Sequence, residues 1–196
     1  MNAIDTIALA LGVAWASGIN LYATILMLGL LGATGGIVLP PELQVLAHPG
    51  VIAAAAFMYV VEFFADKVPG LDSAWDAVHT FIRIPAGAVL AAGALGPVDP
   101  GAQIAAALLG GAFSAGSHLA KASCRLAINA SPEPFSNWGA SLLEDVLVVA
   151  GLYAALHHPL ALLGLLALFF GSAVWLLPKL FRALRAGFAK LAAALR

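Results

Sequence analysis

Long apolar runs separated by short polar punctuation organise the chain. The first run extends from Ile7 to Leu39 and is interrupted at its middle by Ser17-Gly18-Ile19-Asn20, which predicts a bent or broken span. Pro40-Pro41-Glu42 ends it, and Pro49-Gly50 opens a second run from about Val51 to Ala65. A polar hairpin, Asp66-Lys67-Val68-Pro69-Gly70-Leu71-Asp72, leads into a third helix that reaches Leu95, polar in its first turns and apolar beyond. After the loop Gly96–Gly101, a fourth span covers Ala102 to Ala120 and continues as a polar helix to Asn129. The segment Ser131–Asn137 breaks the chain, with Ser136 and Asn137 placed to cap a fifth span from Trp138 to Leu156. His157-His158-Pro159 reads as a solvated turn, and a sixth run extends from Leu160 to Leu177. A helix crosses a bilayer with about 20 apolar residues. The pattern therefore predicts an all-α polytopic membrane bundle of six spans over residues 1–177, followed by a basic tail over 178–196.

Composition agrees with that class. The chain has 196 residues, 62% of them hydrophobic and only 10% charged, where a soluble domain carries about 25% charged residues. The nine basic residues are Lys67, Arg83, Lys121, Arg125, Lys179, Arg182, Arg185, Lys190 and Arg196. With six spans, all of them fall at or near the face that carries both termini. Cytoplasmic loops collect Lys and Arg, so both termini are expected in the cytoplasm. Five of the nine lie in the tail, where Leu180, Phe181, Leu184, Phe188, Leu191 and Leu195 share one helical face; this predicts an amphipathic helix at the surface of membrane lipids. Cys124 is the only cysteine, so no internal disulfide forms. The N-terminus lacks a basic leader region and its apolar run is long, so a retained first span is expected rather than a cleaved signal peptide.

An internal similarity divides the spans into two halves, residues 1–97 and 98–177. Gly12, Ala14, Gly18 and Leu21 coincide with Gly110, Ala112, Gly116 and Leu119 when the first and fourth spans are aligned; Trp15 then faces Phe113, and Asn20 faces His118. Three spans per half invert the second half relative to the first. Inverted repeats with broken helices at matching positions, here spans one and four, belong to transporters.

The polar residues inside the spans form stripes. Asp72, Asp76, His79 and Arg83 share one helical face; His118, Lys121, Arg125 and Asn129 share another. Glu62 and Asp66 end the second span, and Glu144 and Asp145 lie about two turns into the fifth. A lone charge in hydrocarbon costs several kcal/mol, so these sets are expected to converge and neutralise one another. With Ser17 and Asn20 they outline a polar path for an ion or small solute, open to the cytoplasm. Glu62, Asp66, Asp72, Asp76 and His79 also form a candidate set for a divalent cation, since carboxylate oxygens suit Mg²⁺ or Mn²⁺. Close packing of small residues is the simpler role for Ser17 and Gly18.

No Walker loop, His-Glu-x-x-His element or Asp-rich phosphotransferase motif is present. Four segments carry a resemblance: Gly12–Tyr22, Val61–Asp72, Trp75–Arg83 and Ser131–Asn137. Together they resemble the DUF4126 family of bacterial membrane proteins. The resemblance implies only that these polar segments belong together as one unit, and it names no activity; a bacterial inner membrane is the expected location. The resulting expectation is a small inner-membrane transporter or channel, dimeric to complete its pathway, with no catalytic residues, no required cofactor and no nucleic-acid partner. A lipid-headgroup handling protein or enzyme is the second reading. A non-catalytic scaffold whose charges only pair is the third.

Overall fold

The computed structural model describes residues 2–68, 70–129 and 134–194, the last stretch for little more than its backbone beyond Leu176. The elements run α1 (Ala3–Ile19), α2 (Leu21–Ala33), a 3-10 helix (Pro41–Ala47), α3 (Pro49–Ala65), α4 (Leu71–Ala94), α5 (Pro100–Asn129), α6 (Pro134–His157) and α7 (Pro159–Ala194). Met1–Leu162 forms one compact unit and Leu163–Arg196 a second. In the first unit α4 and α5 pack along each other, α1 lies against both and against α6, and α2 packs on α3.

Local chemistry sets the helix ends. Asn2 and Asp5 form a reciprocal capping box on α1. Pro49 opens α3, and His48 Nδ1 accepts from the Gly50 N–H at 3.1 Å. Gly70 and Gly96 turn the chain before α4 and after it with φ of 84° and 70°, a region nearly closed to residues with a Cβ. Asp99 Oδ1 accepts from the Ala102 N–H at 3.0 Å and caps α5.

The distribution of side chains is the inverse of a soluble protein. Arg83 and Arg125 head the fully buried side chains, at 0% exposure each, while Phe81 is 82% and Leu108 71% exposed. Charged residues are almost never fully buried in soluble folds unless paired. Apolar groups outward and paired charges inward is the arrangement that hydrocarbon demands. Among the described residues three helices are long and apolar enough to cross a membrane, Leu71–Ala94, Phe135–His157 and Pro159–Leu176. A fourth joins them if the 3-10 helix and α3, bent by 67°, are one span.

Small residues let α1, α4 and α5 cross closely. A Cβ on Gly18 would stand 2.0 Å from Ser117 Oγ and 2.2 Å from the Ser114 carbonyl oxygen, and one on Gly110 would stand 2.3 Å from Ala91 Cβ. Ser117 Oγ donates to the Trp15 carbonyl at 2.8 Å, across the α1–α5 contact. Gly18→Val is expected to destabilise the bundle by about 3 kcal/mol, since the Ser114 backbone is part of the obstruction and cannot rotate away. Gly139→Ala, with nothing within 4 Å of the new methyl, is the neutral control. Thermal unfolding of both in detergent checks this.

Two expectations are corrected. The fourth span is not broken at Gly116-Ser117-His118: α5 is one helix from Pro100 to Asn129. The interruption occurs only at Asn20, which leaves helical geometry with φ −144° and ψ 99°. Its N–H donates to the Ala16 carbonyl and closes α1, while its Oδ1 accepts from the Ala23 N–H at 2.9 Å and opens α2. An asparagine can serve both ends in this way; His118 is committed to Thr80 and Arg83 instead. The fifth span also starts earlier than Trp138. Pro134 occupies the first helical position, where its fixed φ suits a helix start, so Ser136 and Asn137 lie inside α6 and not at its cap. The apolar face expected for the tail, from Leu180 to Leu195, lies outside the described residues.

Candidate functional site

The ends of α3 and α5 and the beginnings of α4 and α6 meet at one end of the first unit, and each brings its polar stripe. Glu62 and Asp66 come from α3 and the residue after it, Asp76 and Arg83 from α4, Lys121 and Arg125 from α5, and Glu144 from α6. All are buried, Glu144 the least so at 9% exposure. The expected opening toward water is replaced by side chains that close on one another.

Lys121 is the hub. Its Nζ lies 3.0 Å from Asp66 Oδ2, 3.3 Å from Glu144 Oε2, 3.4 Å from Glu62 Oε1 and 3.7 Å from Asp76 Oδ1. It also donates to the Ile19 carbonyl at 3.2 Å, so an ammonium neutralises the free C-terminus of α1. Arg83 bridges Glu62 and Asp76, the latter at 3.0 Å. Arg125 binds both oxygens of Glu144, at 3.0 and 2.7 Å, and donates to the Asp66 and Asn137 carbonyls at 2.9 and 3.1 Å. Such pairing offsets the desolvation of buried charge only when geometry and further hydrogen bonds are good. Glu144 meets that standard on both oxygens. Glu62 Oε2, Asp66 Oδ1, Asp76 Oδ2 and Arg83 Nε have no hydrogen-bond partner among the described residues.

Smaller groups surround the cluster. His118 lies between Arg83 Nη1 at 3.2 Å and Thr80 Oγ1 at 2.8 Å. His79 stacks on Trp75, bonds the Trp75 carbonyl through Nδ1 at 2.8 Å and meets the Tyr22 hydroxyl through Nε2 at 3.1 Å. Asn129 donates to both oxygens of Asp72, at 2.8 and 2.9 Å, and accepts from Asn137 Nδ2 at 2.8 Å. Asp145 stands apart from the ion pairs. It accepts from Asn20 Nδ2 at 3.1 Å and the Tyr59 hydroxyl at 3.0 Å, and borders an apolar groove of about 480 Å³ between α2 and α6. Ser17 Oγ bonds the Ala14 carbonyl and faces Ser114 at the α1–α5 crossing, a packing position outside the cluster.

The five candidate metal ligands do not form a ligand set. Among the described residues no group of three or more His, Cys, Asp and Glu is disposed to hold a metal ion. Glu62, Asp66 and Asp76 face cationic side chains, Asp72 is held by Asn129, and His79 by Tyr22 and Trp75. The basic residues also divide. Arg83, Lys121 and Arg125 are interior groups, whereas Lys67 in the turn after α3 is only partly buried and Lys179 and Arg182 are exposed. Lys67 donates to the Phe63 carbonyl at 3.0 Å and lies over the Phe63 ring; burial pulls its ammonium below the usual lysine range, opposed by Asp145 and Asp66.

Sequence reasoning missed Asn137 and Ser141 as buried members of the site, although Asn137, Ser141 and Glu144 share one face of α6. It also missed Tyr22, Tyr59 and Thr80, whose hydroxyls serve His79, Asp145 and His118. Aromatic and threonine residues look apolar in a membrane pattern, which hid them. Residues 7–179 match the family model DUF4126, described as a domain of unknown function. No curated protein and no solved structure matches the chain.

Proposed function

The chain belongs to the DUF4126 family, and from the chemistry of its buried cluster we propose that it is a small membrane transporter or channel for an ion or small polar solute. The observation that carries this reading is Lys121 held among four carboxylates inside a helical bundle. Ionisable groups within a membrane bundle are costly and mark ion pathways and proton relays. A register device needs one or two pairs; eight ion-pair contacts on four helices exceed that. With side chains closed on each other, the arrangement reads as an occluded state, and exchange with water requires the pairs to part.

In this reading α1 with α2, the 3-10 helix with α3, α4, α5, α6 and the first part of α7 supply six spans. They form two inverted halves in a bacterial inner membrane. Lys67, partly exposed in the turn after α3, supports cytoplasmic placement of the charged end, and the exposed Lys179 and Arg182 support it for the C-terminal segment. A homodimer completes the pathway. The non-transporting scaffold is favoured by one specific observation, the near-complete burial of every ion pair.

Reconstitution separates the two readings. Vesicles containing the full chain and an entrapped pH or ion indicator are challenged with gradients of protons, alkali cations and small anions. The proposal expects protein-dependent flux for at least one of them. Flux equal to that of protein-free vesicles in every gradient would favour the scaffold.

A further inference from the structure

The cluster has more carboxylates than cations. Among the described residues, Glu62, Asp66, Asp76 and Glu144 lie within ion-pair distance of Arg83, Lys121 and Arg125, four acids against three bases. Neither His79 nor His118 is paired with a cluster carboxylate among the described residues. Arginine only donates, so His118 Nδ1 accepts from Arg83 and the ring proton sits on Nε2, facing Thr80. His79 donates from Nδ1 to the Trp75 carbonyl, and a neutral ring satisfies its contact with the Tyr22 hydroxyl as well. Asp72 and Asp145 are held by their own neutral donors, and Lys67 is bonded to the Phe63 carbonyl and Ser141.

The excess charge has a location. Both oxygens of Glu144 are taken by Arg125. Each of the other three acids places one oxygen on a cation and leaves the second, Glu62 Oε2, Asp66 Oδ1 or Asp76 Oδ2, without a partner among the described residues. These residues are 0%, 3% and 2% exposed. An unsatisfied, uncompensated carboxylate oxygen in a sealed interior is strongly unfavourable, and one added proton removes the excess charge. We propose that the cluster binds one exchangeable proton per chain, shared among Glu62, Asp66 and Asp76. A metal cation fits less well, because the oxygens that converge already surround Lys121 Nζ, a tethered cation in the place an ion would take. The groups facing the shared proton are Tyr59, Glu62 and Asp66 from α3 and its end, Lys67 from the turn after it, Asp72, Asp76, His79 and Arg83 from α4, His118, Lys121 and Arg125 from α5, Glu144 and Asp145 from α6, and Tyr22 from α2. The inference deepens the transport reading by naming its ion. It rests on that reading for exchange across the membrane, whereas occupancy is an equilibrium property that can be measured alone.

Infrared spectroscopy of the full chain in lipid nanodiscs tests it. At neutral pH the protein should show a protonated-carboxyl C=O band, shifted in D₂O, with the intensity of one group per chain and lost reversibly at alkaline pH. Glu62→Gln and Asp76→Asn each leave three acids against three bases, and either should abolish the band although three cluster acids remain. Lys121→Met leaves four against two and should double it. Absence of the band from the wild type, with or without Na⁺ or K⁺, would overturn the proposal. So would a band of unchanged intensity in both neutralising variants, or one lost only in Asp145→Asn. A band that behaves as expected in a protein without flux would keep the proton site and remove the transport reading.

Discussion

Replacing Arg125 with glutamine is expected to lower the stability of the folded chain by about 3–5 kcal/mol, the usual result of removing one partner from a buried ion pair. The guanidinium is fully buried and ties three places together. It holds Glu144 on α6 by two hydrogen bonds, the Asp66 carbonyl at the end of α3, and Asn137 in the first turn of α6. Glutamine has one amide group to replace a fork of five donors. It leaves the buried Glu144 carboxylate without its closest charge. Arg125→Lys is not a conservative alternative, since a point charge cannot make the two parallel contacts to Glu144. A double-mutant cycle sharpens the expectation: Glu144→Gln in the Arg125→Gln background should cost much less than it does alone, because the two changes remove the same interaction. Denaturant-induced loss of helicity in mixed micelles measures both terms. A cost for Arg125→Gln comparable to that of an exposed surface change would show that the pairing is not what joins these helices.

The second large effect is on function. Lys121→Met removes the ammonium around which Glu62, Asp66, Asp76 and Glu144 are gathered and keeps most of the side chain's volume. Five oxygens approach this ammonium, those four acids and the Ile19 carbonyl, and it has three protons to give. Such a crowded centre can change partners at little cost, whereas the Arg125–Glu144 fork cannot. The acids left by Lys121→Met can neutralise by taking up protons, so the chain is expected to fold with a smaller penalty than Arg125→Gln imposes. Transport is expected to fall to the level of protein-free vesicles, because the protons taken up in its place stay on the acids and the ammonium that can change partners among them is gone.

Much of this architecture was written in the pattern of polar residues. Asp72, Asp76, His79 and Arg83 share one face of α4 because their spacing follows the helical period, and that face is the buried one. The face of α5 with His118, Lys121 and Arg125 follows the same rule. Their convergence with Glu62, Asp66 and Glu144 follows from the cost of a lone charge in hydrocarbon. What the pattern could not carry was detail set by three-dimensional neighbours. Nothing in Gly116-Ser117-His118 distinguishes it from Ser17-Gly18-Ile19-Asn20 except which side chain finds a helix end to cap, and only Asn20 does. The expected carboxylate metal set failed because each acid found a base or an amide first. Asp145, adjacent in sequence to Glu144, points to a different neighbourhood of Asn20 and Tyr59, as successive residues on a helix must.

The direct test of the account is flux per folded chain in reconstituted vesicles, wild type against Lys121→Met, with the folded fraction counted in the same vesicles. Lys121→Met is expected to insert and fold but to carry no flux above protein-free vesicles. Flux per folded chain equal to the wild type would contradict it, and would leave the buried charges as fasteners between helices.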